Sequence, residues 1–274
     1  MAERLTAPAI VRGREIGLSG YLRVGSGEPL LLIHGVGMNA GIWAPQIERL
    51  KRRFDVIALD LLGHGASPLP QEDAELTDFA DQAISLLDHL RLASVLLVGH
   101  SMGALVAQEV ALRAPERVRR LVSLNAVFRR PPELLKAVQE RSAQLGPPGD
   151  SGAVAATLAR WFGDPPAPEL QPVLAKARTT LESVDPDGYR RTYRLFARAD
   201  SAQADRLTGL AVPALFMTGS EDRNSTPAMS AAMAALVPEG HCVVLRGERH
   251  MMALASPDLV TARLEDFLCD EAAQ

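Results

Sequence analysis

The sequence Gly99-His100-Ser101-Met102-Gly103 lies where a predicted strand meets a predicted helix. The apolar run Val95-Leu96-Leu97-Val98 before it indicates a buried strand, and residues 104–113 after it favour a helix that ends before Pro115. A serine between glycines at such a turn is typical of a strained backbone that projects the hydroxyl from the edge of a sheet. The alternative is a serine that caps the helix. The flanking strand and helix favour a nucleophile at Ser101.

The composition is that of an apolar, slightly acidic chain. Its 274 residues are 47% hydrophobic with a formal net charge of −4, which is enough for a large core and indicates no basic surface for nucleic acid or membrane. Cys242 and Cys269 form no spaced cluster, so neither a disulfide framework nor a metal site is expected. The sequence shows no secretory signal and no apolar run of about 18 residues. We expect a cytoplasmic protein without a metal or organic cofactor; its oligomeric state is not predicted.

Strand-like and helix-like segments alternate along most of the chain. Two short antiparallel strands are expected within residues 9–23. Continuous apolar runs then predict buried strands at 30–33, 56–60, 95–98, 121–124, 214–217 and 242–245. Helical spacing recurs at 42–50, 76–90, 227–236 and 257–268. This order predicts a mainly parallel sheet with helices on both faces, in which ligands bind beyond the carboxyl ends of the strands.

The alternation stops between residues 131 and 204. Here proline- and glycine-rich turns separate helical stretches, and no strand-like run occurs. About four helices are expected in this segment. We interpret residues 131–204 as a helical cap that covers the active edge, inserted in a core of residues 1–130 and 205–274.

A nucleophilic serine needs a base to take its proton, and the base needs an acid to orient it. Of the six histidines, His250 follows a predicted strand and a glycine turn, which indicates a loop at the active edge. His34 and His100 are interpreted mainly as scaffolding, and His64 as loop surface or a pocket wall.

The acid is expected in the turn after the strand at 214–217. Asp222 is the preferred residue, and Glu221 is its immediate rival. The turn after 121–124 carries Asn125 rather than a carboxylate. The chain order Ser101, Asp222, His250 supports all three together.

These motifs resemble those of the α/β-hydrolase-fold serine hydrolases, and the resemblance covers nearly the whole chain. The matching motifs are His34-Gly35, the loop at 60–67, the Ser101 turn, Gly219-x-x-Asp222 and Gly247-x-x-His250. The resemblance implies an α/β fold with a mostly parallel eight-stranded sheet and a helical lid insertion. It also implies a Ser101–His250–Asp222 triad, with an oxyanion hole formed by the backbone N–H groups of Val36 and Met102.

The chemistry implied by the resemblance is acyl transfer to Ser101 from a small-molecule ester, lactone or related carbonyl compound, C–C bond cleavage included. Two alternatives stay open. The same triad serves cofactor-free perhydrolases and haloperoxidase-like enzymes, and the same fold serves ligand receptors with little or no turnover. Serine at the turn argues against the dehalogenase branch of the family, which uses aspartate there.

Candidate substrate-binding residues come from the loops and the predicted cap. Arg190, Arg194 and Arg198 recur at four-residue spacing, which is typical of a solvated helix face. The alternative is that one of them contacts a substrate carboxylate, as in relatives that cleave enol-lactones or β-diketone-like acids. Trp43 is better explained by packing. The full candidate set is His34, Gly35, Trp43, Trp161, Phe162, Tyr189, Arg190, Tyr193 and Arg194.

Overall fold

Eight strands form one sheet in the part of the chain that the computed structural model describes, which is residues 9–13, 17–145 and 151–269. The strands are β1 (Ala9–Gly13), β2 (Gly17–Gly25), β3 (Glu28–Ile33), β4 (Phe54–Leu59), β5 (Val95–His100), β6 (Val118–Leu124), β7 (Ala214–Gly219) and β8 (Gly240–Leu245). Their spatial order is β1-β2-β4-β3-β5-β6-β7-β8. β1 and β2 pair in antiparallel fashion, as do β2 and β4, and all other pairs are parallel. The predicted mostly parallel sheet is confirmed.

Ten α-helices accompany the sheet in the described residues. They are α1 (Ala44–Leu50), α2 (Leu76–His89), α3 (Met102–Arg113), α4 (Pro132–Ala143), α5 (Ser151–Phe162), α6 (Gln171–Ser183), α7 (Pro186–Arg198), α8 (Pro227–Leu236), α9 (Met252–Ala255) and α10 (Pro257–Leu268). Helix α8 begins with Pro227, which needs no hydrogen-bond acceptor at that position, and the side chain of Thr226 accepts from the backbone N–H of Met229. None of these helices is long and apolar enough to cross a bilayer.

The central strands are buried on both faces. In β3, Leu31 and Ile33 belong to one apolar cluster with residues of α2 and α3, whereas Leu30 and Leu32 belong to a second cluster with residues of α1 and α10. Side chains of a strand alternate between its two faces, so the two clusters lie on opposite sides of the sheet. This explains why these strands are continuous apolar runs in the sequence.

Helices α4 to α7 all lie between β6 and β7 in the chain. Within the described part of residues 131–204 there is no strand, and α4 packs against α7 while α5 packs against α6. Helices α4, α5 and α7 supply most of the walls of the cavity described below.

Candidate active site

Ser101 sits between β5 and α3 with φ 55° and ψ −119°, a conformation that L residues rarely adopt. The glycines on either side of it permit a close approach of the surrounding backbone. A Cβ at Gly99 would lie 2.1 Å from the carbonyl oxygen of Gly103, and one at Gly103 would lie 2.4 Å from that of Ile33. The backbone N–H of Ser101 donates to the carbonyl of Leu124 at 2.8 Å, which ties the turn to β6.

The side chains of Ser101, His250 and Asp222 are buried and in mutual contact. His250 Nε2 is 3.2 Å from Ser101 Oγ, and His250 Nδ1 is 2.8 Å from Asp222 Oδ2. Because the carboxylate lies at Nδ1, a neutral His250 carries its proton there and presents Nε2 as an acceptor for the Ser101 hydroxyl. Glu221, the rival acid, is exposed and forms an ion pair with Arg249 instead.

Asp222 is held by donors on both carboxylate oxygens. Oδ1 accepts from the backbone N–H groups of Asn224 at 2.8 Å and Ser225 at 3.1 Å, and Oδ2 accepts from Asn125 Nδ2 at 2.8 Å. Burial acts to raise the pKa of Asp222, but His250 and these hydrogen bonds outweigh it and lower the pKa. The carboxylate is therefore ionised beside His250.

His100 supports the loop that carries His250. Its Nε2–H donates to the backbone carbonyl of His250 at 2.9 Å, and the two rings are 5.1 Å apart. Burial and the neighbouring His250 lower the pKa of His100 to about 3, so the ring is neutral. These contacts agree with a scaffolding role for His100.

His34 and His64 connect the loop that follows β3 with the loop that follows β4. His34 Nε2 accepts from Leu61 N–H at 3.0 Å and its Nδ1–H donates to Gly35 O at 2.7 Å, while His64 Nε2 accepts from Gly37 N–H at 2.9 Å. Burial lowers their pKa values to about 4 and about 3. Two expectations are corrected here: His34 is enclosed by these contacts and does not line the cavity at Ser101, and His64 is buried rather than on the loop surface.

Two backbone donors lie next to Ser101. Gly35 packs so closely that a Cβ on it would be 2.9 Å from Ser101 Cβ, and Val36 lines the same cavity as Ser101. The N–H of Val36 donates to no group in the described residues. Met102 is the first residue of α3, where backbone N–H groups have no partner within the helix.

A cavity of about 50 Å³, here called the Ser101 cavity, opens at the Ser101 hydroxyl. Its walls are Val36, Ser101, Arg130, Val138, Arg141, Thr157, Arg160, Trp161, Tyr189, Tyr193, Phe196, Asn224 and His250. Trp161 stacks on His250 with ring centroids 6.2 Å apart, and Tyr189 stacks on Tyr193 at 5.7 Å. Burial, together with Tyr193, raises the pKa of Tyr189 to about 12, so the Tyr189 phenol is neutral. Of the predicted substrate-binding residues, Trp161, Tyr189 and Tyr193 lie here.

Four other candidates lie elsewhere. Trp43 is fully buried with its ring nearly perpendicular to that of His100, and Phe162 is buried in the second apolar cluster, so both are core residues. Arg194 is exposed and forms an ion pair with Glu72 at 2.8 Å. Arg190 pairs with Glu72 at 2.6 Å and lines a larger cavity of about 690 Å³ but not the Ser101 cavity. Arg190 and Arg194 lie away from Ser101 because Glu72, in the loop before α2, holds their guanidinium groups.

Two arginines that the sequence did not predict as site residues line the Ser101 cavity instead of Arg190 and Arg194. Arg141 of α4 donates through Nε to Tyr193 Oη at 3.2 Å, and Arg160 of α5 donates to Thr157 Oγ1 at 2.8 Å. Neither forms an ion pair with a carboxylate of the described residues. Burial, and then the positive charge of Arg141, lower the pKa of Arg160. A guanidinium group whose charge is disfavoured by burial and by a second guanidinium group nearby makes a site that suits an anion.

In the described residues, no group of three or more His, Cys, Asp or Glu side chains is arranged to hold a metal ion. The Ser101 cavity offers a hydroxyl, an imidazole hydrogen-bonded to a carboxylate, the backbone N–H of Val36, and two guanidinium groups that have no carboxylate partner in the described residues.

Several known proteins resemble this chain over most of its length. A family model described as "alpha/beta hydrolase fold" matches residues 28–257. The chain is 39% identical over 251 residues to the (E)-2-((N-methylformamido)methylene)succinate hydrolase of Acinetobacter baylyi, covering 90% of this chain and 93% of that protein. It is 30% identical over 253 residues to the 2-(acetamidomethylene)succinate hydrolase of Mesorhizobium japonicum, covering 89% of each.

A solved structure shares the whole architecture. The enol-lactonase from Burkholderia xenovorans LB400 superposes with a TM-score of 0.86 at 25% identity, covering 96% of this chain and 100% of that chain. The resemblance inferred from the sequence motifs is confirmed by these matches.

Proposed function

The chain belongs to the α/β-hydrolase fold family and is a hydrolase, and we propose that Ser101 is its nucleophile, His250 its general base and Asp222 the acid that orients His250. The contacts of 3.2 Å and 2.8 Å that join these three side chains carry the proposal. They meet the geometric requirement for a base within reach of a nucleophile and an acid behind the base.

The reaction proceeds by acyl transfer. Ser101 Oγ bonds to the substrate carbonyl carbon as its proton passes to His250 Nε2, and the resulting oxyanion accepts from the N–H groups of Val36 and Met102. The bond to the leaving group then breaks, and the leaving group takes the proton from Nε2. Water, deprotonated by His250, releases the acyl group from Ser101. Loss of one oxyanion donor typically costs roughly 2.7–4 kcal/mol of transition-state stabilisation.

The substrate is a small ester, lactone or enamide-type carbonyl compound that carries a carboxylate. Arg141 and Arg160 support this class because they face the Ser101 cavity without a carboxylate partner in the described residues. The names of the two sequence relatives, both succinate derivatives, point in the same direction. Trp161 and the stacked pair Tyr189 and Tyr193 then pack against the uncharged part of the substrate.

Residues 131–204 act as a cap over a core formed by 1–130 and 205–274. The cap role is supported by the origin of the cavity walls, since α4, α5 and α7 supply most of those that face Ser101. In this arrangement the cap selects the substrate and the core performs the reaction.

A substrate panel tests the proposal. Esters, enol-lactones and 2-(amidomethylene)succinates, each with and without a free carboxylate, are offered to the wild-type protein and to Ser101→Ala, with product formation followed by liquid chromatography. We expect turnover by the wild type, with carboxylate-bearing members preferred, and none by Ser101→Ala. Turnover that survives Ser101→Ala contradicts the assigned nucleophile, and a preference for neutral members contradicts the assigned substrate class.

A further inference from the structure

A second cavity, of about 440 Å³, adjoins the Ser101 cavity and is here called the arginine cavity. The two share Arg130, Arg141, Arg160 and Asn224 as walls, so they are adjacent. The complete lining of the arginine cavity is Arg130, Leu134, Ala137, Arg141, Ala159, Arg160, Gly163, Asp164, Arg223, Asn224 and Arg249.

The arginine cavity carries an excess of positive charge. Of its five guanidinium groups, that of Arg130 is paired with Asp200 and that of Arg249 with Glu221. Asp164 is the one carboxylate in the lining itself. Five guanidinium groups thus face three carboxylates, and a surplus of two positive charges remains. A cavity with such a surplus favours a dianion over a monoanion.

Arg223 is distinct among these arginines. It lines the arginine cavity but not the Ser101 cavity, whereas Arg141 and Arg160 line both. It is exposed and forms no ion pair with a carboxylate of the described residues. The neighbouring Asn224 reaches the Ser101 cavity and donates its backbone N–H to Asp222 at 2.8 Å, so the backbone beside Arg223 is fixed to the proposed triad.

We propose that the arginine cavity is a carboxylate subsite in which Arg223 binds the second carboxylate of a dicarboxylate, while Arg141 and Arg160 bind the first. The guanidinium group suits this task because its planar fork of N–H donors matches the two oxygens of a carboxylate. The assignment of the first carboxylate rests on the proposed function; that of the second rests on the charge and position of Arg223. The subsite makes this protein selective for dianionic substrates.

Succinate and butyrate are suitable probes because both have four carbons and they differ by one carboxylate. Their dissociation constants are measured by isothermal titration calorimetry with the wild-type protein, Arg223→Gln and Arg52→Gln. Arg52 is an exposed arginine just before β4, at the amino ends of the parallel strands, whereas Ser101 lies at their carboxyl ends. Its substitution matches the change in net charge. Thermal melting confirms that each variant is folded.

We expect succinate to bind the wild type more tightly than butyrate. Arg223→Gln raises the dissociation constant of succinate about fivefold, the size of an exposed ion pair, and leaves that of butyrate unchanged. Arg52→Gln behaves as the wild type with both probes. The subsite is contradicted if wild-type protein does not prefer succinate, if Arg223→Gln weakens both probes equally or neither, or if Arg52→Gln reproduces its effect. Because no turnover is measured, these outcomes are independent of whether Ser101 proves to be the nucleophile.

Discussion

Asn125 Nδ2 donates to Asp222 Oδ2 at 2.8 Å, and this oxygen also accepts from His250 Nδ1 at 2.8 Å. Asn125 follows β6 and has a φ of 51°, while Asp222 follows the neighbouring strand β7. Two adjacent strand ends thus hold one carboxylate against the imidazole. The sequence shows only that Asn125 occupies a turn where a triad acid could have stood. In the structure the Asn125 amide donates to Asp222 and stabilises the ionised form of that carboxylate.

Asn125→Ala therefore weakens the orientation of His250. Loss of a hydrogen bond to a charged group costs about 1.5–3 kcal/mol, so kcat falls roughly 10- to 100-fold. The pKa of Asp222 rises because a donor to its ionised form is gone, and the acidic limb of the profile of kcat/KM against pH moves to higher pH. Asn125→Asp causes a larger loss because it puts a second carboxylate beside the first. An unchanged pH profile in both variants contradicts this role.

Arg160→Gln separates substrate recognition from chemistry. We expect the ratio of kcat/KM for a carboxylate-bearing substrate to that for a matched neutral ester to fall at least about tenfold, as for a lost charged hydrogen bond. Arg194→Gln is the matched control, since this arginine of α7 is paired with Glu72 outside the Ser101 cavity. A fall of equal size in Arg194→Gln, or no fall in Arg160→Gln, shows that the cavity arginines do not recognise the carboxylate.

The packing of the Ser101 turn predicts that an alanine substitution destabilises the protein strongly at Gly99 and very little at Gly209. In Gly99→Ala the new Cβ would lie 2.1 Å from the carbonyl oxygen of Gly103, so β5 and α3 have to move apart. We expect the free energy of unfolding to fall by about 3 kcal/mol or more, as for severe overpacking. A Cβ added at Gly209 would have no atom within 4 Å, and Gly209→Ala is expected to be nearly neutral. Denaturant titrations of both variants provide the test, and equal destabilisation refutes the steric argument.

The buried histidines predict a loss of stability in mild acid. His34, His64 and His100 have folded-state pKa values of about 4, 3 and 3, below the ordinary value of 6.5. As the pH falls below 6.5 the unfolded chain takes up protons that the folded protein does not, so the stabilisation present at higher pH is lost. Each histidine contributes about 1.4 kcal/mol between pH 7.5 and 5.5, or about 4 kcal/mol together.

Urea titrations at the two pH values measure this loss, and His64→Gln reduces it by about a third. Arg52→Gln, which removes an exposed charge just before β4, leaves the pH dependence of the free energy of unfolding unchanged. A free energy of unfolding that does not fall between pH 7.5 and 5.5 contradicts the neutral state of these rings.

The fold was predictable because its signals are local. Strands buried on both faces are continuous apolar runs, and helices α8 and α10 begin at Pro227 and Pro257, where the sequence predicts them. The Ser101 turn was equally visible, since only glycine fits at positions as crowded as Gly99 and Gly103. The sheet then brings together strand ends that are distant in the chain.

The cavity walls were not predictable in the same way, because tertiary contacts decide which side of a helix faces the cavity. Arg190 and Arg194 look like candidates by their spacing, yet Glu72 holds them outside, and nothing in the sequence marks Arg141 as a cavity residue. His64 lies in a glycine-rich loop, which favours a surface position. In the structure it is buried, and its ring accepts a hydrogen bond from the backbone N–H of Gly37. Such pairings become visible only when distant loops meet.

Covalent trapping of the nucleophile tests the central claim most directly. Wild-type protein and Ser101→Ala are treated with diethyl p-nitrophenyl phosphate, and the adduct is located by intact-protein and peptide mass spectrometry. The arrangement of Ser101, His250 and Asp222 predicts a single diethylphosphoryl adduct on Ser101 in the wild type and no adduct in Ser101→Ala. An unmodified wild type, or an adduct on another residue that persists in Ser101→Ala, would contradict it.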